Sequence, residues 1–213
     1  METSTHRGHR MPRSERRAQL LEAAQAVFVQ RGYHAAAMDD IAEHAGVSKP
    51  VLYQHFPGKL ELYLALLDSH CETLERLVRE ALAVPTEDNE ERVAATFRAY
   101  FDFVAQDGAA FRMVFESDLT SEPQVRSRLD SVELACAEAI ADVIRADSGI
   151  PDEQALILGA GLAGLAQITA RHWLAAETGI SREDASGLAT ALAWRGLGSL
   201  PLVGGERSEA ARG

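Results

Sequence analysis

The chain has 213 residues, of which 46% are hydrophobic and 25% charged, and its 21 basic and 32 acidic residues give a formal charge of −11. This composition is typical of a globular protein, so extended disorder, a collagen-like chain and a mini-protein scaffold are excluded. The longest uncharged run, residues 154–170, contains three glycines and is shorter than the roughly 20 apolar residues that cross a bilayer. We therefore expect no membrane-spanning helix.

The first residues, METSTHRGHRMPRSERR, are rich in charge, and no apolar segment follows them. A secretory signal needs such a segment, so none is expected here. Two cysteines in the whole chain do not make a disulfide framework. Together these features predict a cytoplasmic protein.

The charge is unevenly distributed along the chain. Residues 1–60 hold eight Lys or Arg against six Asp or Glu, a net of +2, whereas residues 61–213 hold 13 against 26, a net of −13. A basic segment can meet a polyanion that the acidic remainder repels. A net of two charges in 60 residues also arises by chance, so charge alone leaves this interpretation open.

Apolar residues recur with helical spacing along the chain, between breaks marked by Gly or Pro, and no segment is a convincing strand. Ser14 is the predicted N-cap of the first helix. Nine helices are predicted, over residues 14–31, 38–44, 49–55, 59–83, 89–106, 109–116, 122–146, 152–178 and 182–196. The fold is therefore predicted to be all-α, with a disordered tail over residues 1–12 and a flexible tail over residues 201–213.

Two short predicted helices between Met38 and Phe56 are joined by a tight turn at Gly46. Gly46 can adopt the positive φ that such a turn requires, Ser48 can cap the second helix, and Pro50 falls in its first turn. This arrangement is the pattern of a helix-turn-helix, whose second helix lies in the DNA major groove.

The second of these helices has an inner and an outer face. Leu52 and Phe56 are four residues apart and are predicted to pack inward with Ile41 and Val47. The outer face combines a cation, two apolar residues, a phenol, an amide and an imidazole, and consists of Lys49, Pro50, Val51, Tyr53, Gln54 and His55. A helical hairpin whose polar face is merely solvated remains an alternative.

The chemistry of that outer face suits a DNA groove. Lys49 can neutralise a phosphate, and Tyr53 and His55 can donate to phosphate oxygens. Gln54 can bond a purine edge, and Val51 can contact a thymine methyl.

The same stretch resembles the TetR family of one-component regulators. The family pattern is F-x-x-x-G-[YF] at the end of the first helix, then D-I-A-x-x-A-G-V-S, L-Y-x-H-F and K-x-x-L. The chain matches it at Phe28, Gly32, Tyr33, Asp40, Ile41, Ala42, Ala45, Gly46, Val47, Ser48, Leu52, Tyr53, His55, Phe56, Lys59 and Leu62. Agreement this dense over about 50 residues is specific.

The resemblance implies a homodimer. Each chain would carry an N-terminal three-helix DNA-binding domain, residues 13–58, and a C-terminal bundle, residues 59–200, that dimerises and binds a small effector. It also implies that Tyr53, His55 and Lys59 contact phosphates while residues 49–54 face the groove.

The chain departs from the family pattern at one place. The family usually has Thr or Ser before its second helix, where that side chain caps the helix and contacts a phosphate. Ala36 and Ala37 stand there in this chain, which removes about 1 kcal/mol of capping. Arg13, Arg16 and Arg17 are nearby alternatives for the phosphate contact.

Within the family the chain most resembles the FasR group, actinobacterial activators of fatty-acid synthesis genes that sense long-chain acyl-CoA. The resemblance rests on GYHAAAMDDIAEHAGVSKPVLYQHFPGKLELYLALL, YFDFVAQDGAAFRMVFESD and WRGLGSLPL, and spans most of residues 12–203. It implies a long-chain acyl-CoA effector, no separate cofactor and a double-stranded DNA operator. A repressor of a drug-efflux or other metabolic gene, with a different hydrophobic effector, stays open as the alternative.

Aromatic and apolar side chains are concentrated in two neighbouring predicted helices and would suit a slot for an acyl chain. The candidate ligand-binding residues are Phe97, Tyr100, Phe101, Phe111, Val114 and Phe115. A stripe of this spacing is also what an ordinary core shows, so the residues alone leave both interpretations open. A CoA head group would need cations, for which Arg98, Arg112 and Arg171 are available.

The last two long helices are the predicted dimer seam. Gly159, Gly161 and Gly164 lie in the middle of a helix, where Gly costs about 1 kcal/mol relative to Ala, and close approach of another helix would compensate. Leu188, Leu192 and Trp194 could complete the seam. Packing of the glycines within one chain remains the competing interpretation.

No nucleophile with an adjacent base, no pair of catalytic carboxylates and no metal-ligand spacing is found, so neither an enzyme nor a metal site is expected. Cys71 and Cys136 fall on inner stripes and are predicted to be small buried residues. A non-specific architectural DNA-binding protein and an enzyme built on a helical bundle are the remaining, weaker alternatives.

Overall fold

The computed structural model describes residues 11–86, 88–106, 119, 121–176 and 179–196, which form eight α-helices and no strand. The helices are α1 (Arg13–Ala35), α2 (Met38–His44), α3 (Lys49–His55), α4 (Lys59–Leu82), α5 (Asn89–Gln106), α6 (Pro123–Ser148), α7 (Asp152–Ala175) and α8 (Arg182–Arg195). The all-α prediction is confirmed, and eight of the predicted helices are present within a few residues of their expected ends. The predicted helix over residues 109–116 and the tail over residues 201–213 lie outside the described residues, as does most of the tail over residues 1–12.

The chain packs as two compact units. The first contains the described parts of residues 1–73 and 107–132, and the second those of 74–106 and 133–213. In the first unit α1 packs against α2 and α2 against α3, and in the second α5, α7 and α8 pack against one another. The first unit thus includes the whole of the predicted helix-turn-helix segment, residues 13–58.

The core of the first unit forms where the inner stripe of α1 meets the short helices. Leu20 and Ala24 on α1, Ile41 on α2 and Leu52 on α3 have no exposed side-chain surface. Removal of such side chains from water is the main favourable contribution to folding, about 1.5–3 kcal/mol for each large one. These contacts hold α3 against the unit by its inner face.

Both ends of α1 differ in detail from the sequence prediction. The helix begins at Arg13 with Pro12 in the N-cap position, so Ser14 is not its cap and that prediction was wrong. Pro12 has no N–H to leave unpaired there, and its carbonyl accepts from Arg16 N–H at 3.0 Å. At the other end, the helix is interrupted at Gly32, which has φ 74° and ψ 162° and is where the sequence predicted the helix to stop. The chain then makes one further turn, up to Ala35.

The second unit has a core of aromatic and small residues. Phe97, Phe101 and Val104 of α5 are buried, as is Cys136 of α6. The Tyr100 hydroxyl and the Cys136 thiol form a buried hydrogen bond, and burial raises the pKa of Tyr100 and brings the pKa of Cys136 to about 11. A thiol with that pKa is almost wholly protonated at neutral pH and therefore unreactive. Cys71 is also buried, so the predicted burial of both cysteines is confirmed.

None of the described helices has the length and hydrophobicity needed to cross a bilayer.

Candidate nucleic-acid interface

The turn between α2 and α3 is closed by main-chain hydrogen bonds around a left-handed glycine. Gly46 has φ 64°, its N–H donates to Glu43 O at 3.0 Å, and Val47 N–H donates to Ala42 O at 3.0 Å. Gln19 of α1 reaches this turn from outside, because its Nε2 donates to Ala45 O at 2.9 Å. The predicted glycine turn is therefore present and is fixed to α1.

Ser48 stands at the N-cap of α3, but its side chain makes no capping hydrogen bond, so this part of the prediction was wrong. The reason is local. Pro50, two residues on, has no N–H, and the N–H of Val51 donates to Ser48 O at 2.9 Å. No donor remains in the positions that an N-cap hydroxyl usually reaches.

The structure separates the two faces of α3 as predicted. Leu52 is fully buried and Phe56, at the C-cap, is 2% exposed, whereas Val47 in the turn is half-buried. On the outer face Tyr53 is 47% exposed, and the other exposed residues are Lys49, Pro50 and Gln54; Val51 and His55 are half-buried. The face of α3 that carries the candidate DNA-contacting groups is thus turned away from the core.

Lys49 is already paired in the free protein. Its Nζ donates to Asp39 Oδ2 at 2.5 Å, and this hydrogen bond raises the pKa of the ammonium group. Both side chains are more than half exposed, so the pair is easily exchanged. The two residues are ten apart and on different helices, so no local pattern in the sequence could have predicted the contact.

Three arginines at the start of α1 surround His55. Arg13 and Arg16 line a groove with Ser48, Gln54 and His55. The pKa of His55 is lowered, first by burial and then by the positive charges of Arg13, Arg17 and Arg16.

These arginines are not neutralised by acidic side chains. Arg16 Nη1 donates to Gln19 Oε1 at 2.7 Å, and the guanidinium of Arg17 lies 4.5 Å from the centre of the Phe56 ring. None of the three forms an ion pair with a carboxylate among the described residues. A cationic surface therefore adjoins the outer face of α3, as expected where a phosphate backbone docks.

At the start of α2, Ala37 occupies the N-cap and offers no capping side chain, as the alanines at this corner predict. Asp40 compensates in part for the missing cap, because its Oδ2 accepts a hydrogen bond from Ala37 N–H at 3.2 Å. The same carboxylate pairs with Arg31 at 2.7 Å. A phosphate contact from an Ala37 side chain is excluded by its chemistry.

Lys59, the first residue of α4, binds main-chain oxygens in this structure. Its Nζ donates to the carbonyls of Tyr33, His34 and Ala36 at 2.8, 3.2 and 2.9 Å, and lies 4.5 Å from the centre of the Tyr33 ring. All three donors of the ammonium group are therefore engaged. A phosphate contact from Lys59 would replace one of these bonds.

The second unit contains two apolar cavities. One, of about 400 Å³, is lined by Phe97 among others, and another, of about 460 Å³, is lined by Phe101 and Trp173, whose rings are 5.7 Å apart. Tyr100 is buried and lines neither cavity. The three predicted ligand residues on α5 therefore do not line one common slot: Phe97 and Phe101 line different cavities, and Tyr100 belongs to the core.

The other predicted ligand residues, Phe111, Val114 and Phe115, lie outside the described residues, as does Arg112. Arg98 and Arg171 are exposed and line neither cavity.

The glycines of α7 separate into two groups. A Cβ on Gly159 would lie 2.3 Å from Ala137 O, so this glycine allows α6 to approach within the chain. A Cβ on Gly161 or Gly164 would meet no atom of the described part of the chain within 4 Å. These two lie on one stripe with Ile157 and Ile168, which are 73% and 58% exposed.

The predicted seam residues on α8 are also partly accessible to solvent. Leu188 and Trp194 are 55% and 45% exposed, and Leu192 is half-buried. All three also line a cavity: Leu188 and Leu192 line the one that contains Phe101, and Trp194 lines the one that contains Phe97. We call the set Ile157, Gly161, Gly164 and Ile168 the α7 stripe; Gly164 is half-buried, and Ile168 also lines the cavity that contains Phe101.

No group of three or more His, Cys, Asp or Glu side chains in the described part of the chain is arranged to hold a metal ion.

A short helix held by its inner face, with a polar outer face beside unpaired arginines, defines a helix-turn-helix DNA-binding protein. Residues 20–66 match the model for bacterial regulatory proteins of the tetR family. The transcriptional activator FasR of Mycolicibacterium smegmatis is 47% identical over 197 residues, which cover 92% of this chain and 90% of that protein. The chain belongs to the TetR family of transcriptional regulators, and within it to the FasR group. It is accordingly a DNA-binding regulator and not an enzyme, as predicted.

Solved structures agree with this fold. A TetR-like transcriptional regulator from Rhodococcus sp. RHA1 superposes with a TM-score of 0.69 and 26% identity, over 90% of this chain and all of that one. FadR of Bacillus subtilis, solved in complex with stearoyl-CoA, superposes with a TM-score of 0.70 over 84% of this chain and 98% of its own. At 18% identity the second similarity shows the fold alone.

Proposed function

We propose that this protein regulates fatty-acid biosynthesis genes, that it senses long-chain acyl-CoA, and that it binds a palindromic operator as a homodimer. The observation that carries the proposal is the similarity to FasR, which extends over both units and not only over the DNA-binding motif. A regulator that shared only the motif would match over the first 70 or so residues, as a general property of a shared DNA-binding module.

The outer face of α3 is the proposed reading surface. Gln54 is exposed in the last turn of α3 and carries the amide that pairs with adenine, and Val51, three residues earlier on the same side, offers a methyl contact to thymine. Lys49, Pro50, Tyr53 and His55 border these two residues and contact the backbone or the groove wall. Arg13, Arg16 and Arg17 supply the phosphate contacts that Ala36 and Ala37 cannot make. Lys59 holds the start of α4 to the end of α1 and is a further candidate for a phosphate contact.

The α7 stripe is the proposed centre of the dimer interface. Its two glycines have no neighbour at the Cβ position among the described residues, and its two isoleucines are exposed although each would gain about 1.5–3 kcal/mol on burial. A second copy of the same stripe is complementary to it, because glycines let the helices approach while isoleucines fill the sides. Two-fold symmetry gives the dimer two α3 helices, and the proposal is that these enter successive major grooves of a palindromic operator, roughly 34–36 Å apart.

The effector is proposed to bind in the second unit. Its two cavities, of about 400 and 460 Å³, are lined mainly by apolar side chains and fall in the size range of small-molecule sites, about 300–1,000 Å³. Phe97 and Phe101 each line one of them, so both are candidates for the acyl chain. FadR of Bacillus subtilis shows that a bundle of this fold can hold stearoyl-CoA in another protein.

The test uses the full-length protein and fluorescence anisotropy on labelled duplexes from upstream of fatty-acid biosynthesis genes and of its own gene. We expect salt-dependent binding to one palindromic site, at least about a thousandfold tighter than binding to a scrambled duplex. Stearoyl-CoA should shift that affinity, whereas free CoA and a cationic dye should not.

Three outcomes would contradict the proposal in different ways. A response to the dye and not to stearoyl-CoA would favour a regulator of drug efflux. Binding without sequence preference would favour an architectural DNA-binding protein. Hydrolysis of the thioester during the titration would revive an enzymatic function.

A further inference from the structure

One edge of the Phe97 cavity is polar, in contrast to the rest of its wall. The apolar wall comes from α5, α6, α7 and α8, with Phe97, Ile140 and Leu162 as examples. The polar edge is formed where α5 begins and α6 ends, and Arg92 and Asp147 meet there. The cavity therefore has the polarity of a ligand with a long apolar chain and one polar end.

Arg92 is the main cation of this edge. Only 17% of its side chain is exposed. Its Nη1 donates to Asp147 Oδ2 at 2.9 Å and to Asn89 Oδ1 at 2.5 Å, and its Nη2 donates to Thr86 O at 2.7 Å. Its Nε is buried and has no hydrogen-bond partner among the described residues. The bonds from Nη1 and Nη2 use three of the five N–H donors of the guanidinium, so this mostly buried side chain can still donate to a further anion.

The only carboxylate paired with Arg92 among the described residues is held loosely. Asp147 is 40% exposed and lies in the last turn of α6, so water can solvate it when it is released. Arg92 is held more firmly, because its guanidinium also donates to Asn89 Oδ1 and to Thr86 O, which lie only three and six residues before it in the chain. An incoming anion would therefore displace Asp147 and leave Arg92 in place.

From this geometry we propose that Arg92 anchors the anionic head of the effector and that Asp147 is its competitor in the free protein. The ligand class is an amphiphile with a long acyl chain and a carboxylate or phosphate head, the chain lying along Phe97. The inference rests on the proposed function, since it names the cavity and the residue that select the effector. Exchange of an internal carboxylate for a ligand anion keeps Arg92 paired, so the desolvation cost of a lone buried cation is avoided.

The experiment measures binding of oleate, oleoyl-CoA and neutral methyl oleate to the full-length protein by displacement of a fluorescent fatty-acid probe. Replacement of Arg92 by Gln should weaken the anionic ligand at least tenfold, because a charge-assisted hydrogen bond is lost, and should change methyl oleate less than twofold. Comparison of oleate with oleoyl-CoA identifies whether a carboxylate or a phosphate is bound. Arg98→Gln, which removes an exposed arginine six residues further along α5, is the matched control and should change nothing.

Asp147→Asn provides a second, independent measurement. The neutral amide competes less well for Arg92, so this variant should bind the anionic amphiphile several-fold more tightly, a gain that a destabilised protein would not show. If Arg92→Gln weakens the binding of charged and neutral ligands equally, or if Asp147→Asn does not bind the anionic ligand more tightly, Arg92 is not the anchor of the head group. The proposed effector class would then still stand. Failure of the unaltered protein to bind either oleate or oleoyl-CoA would overturn the proposed effector class as well.

Discussion

The surface around α3 and the α7 stripe are both exposed, but they differ in what they lack. At the first, Arg13, Arg16 and Arg17 carry positive charge that no described carboxylate neutralises. At the second, two isoleucines and two glycines form an apolar strip that none of the eight described helices covers. Elsewhere in the second unit most arginines are paired within the chain, for instance Arg182 with Asp102 and Arg195 with Glu90.

The difference shows how a fold leaves particular groups for external partners. Unpaired cations call for a polyanion, since counterion release from DNA supplies the free energy that internal ion pairs do not. An exposed apolar strip calls for another apolar surface, and a second copy of the chain is the partner proposed for it. If this interpretation is right, the two surfaces can be disabled separately.

The largest effect is expected at the α7 stripe. Changing Ile157 and Ile168 together to Asp removes four isoleucines from a two-fold interface, which costs about 6 kcal/mol or more and weakens the dimer at least about ten-thousandfold. Sedimentation at micromolar concentration should show a folded monomer. Leu134→Asp, at a leucine of α6 that is 49% exposed, should remain a dimer. An unchanged dimer in the double variant would place the interface elsewhere.

The next effect concerns the arginines of α1. Replacement of Arg13 and Arg17 by Gln removes four cations from an operator-bound dimer, so the salt dependence of log K should fall by about 3.6 and affinity by roughly a thousandfold at 0.15 M salt. The matched control is Arg98→Gln with Arg171→Gln, two exposed arginines of the second unit, which should leave DNA binding intact. Equal losses in both double variants would mean that only net charge matters.

A smaller and more selective effect is expected on α3 itself. Gln54→Ala should cost about 1–3 kcal/mol on the preferred operator and relax the sequence preference at one base pair. Tyr53→Phe, which removes one hydroxyl from the same face, should weaken all operators by a similar factor. Competition assays on operators varied at single positions distinguish the two. A uniform loss for both variants would show that Gln54 does not read a base.

The smallest effect is a pH dependence carried by His55. Its pKa is lowered in the free protein by burial and by the neighbouring arginines, and contact with a phosphate would raise it again. Binding then takes up a proton, so operator affinity should increase a few-fold as the pH falls from 8 to 6. In the His55→Gln variant, operator affinity should not show this increase at low pH. A pH profile identical in the two proteins would exclude a phosphate contact from His55.

The helix-turn-helix could be predicted from the sequence because it is determined locally. Gly46, the inward pair Leu52 and Phe56, and the outer face of α3 follow from spacing within twenty residues. The N-cap role of Ser48 failed for an equally local reason, the missing N–H of Pro50. The general preference of serine for N-cap positions was not decisive here, because Pro50 lacks the N–H that the hydroxyl would accept from.

The second unit was less predictable because its site is made by distant residues. Phe97 and Phe101 share an α5 stripe, yet packing of α6, α7 and α8 places them in separate cavities. No local pattern in the sequence selects Arg92, because its partner Asp147 comes from α6, 55 positions along the chain. Likewise, only the structure distinguishes Gly159, which packs on α6, from the glycines that face outward.

The three hydrogen bonds from Lys59 have a mechanical consequence. They fasten the first turn of α4 to the last turn of α1 and to Ala36, so a shift of that end of α4 either carries the end of α1 with it or breaks three hydrogen bonds at once. One ammonium group thus links α4 to the helix that carries Arg13, Arg16 and Arg17.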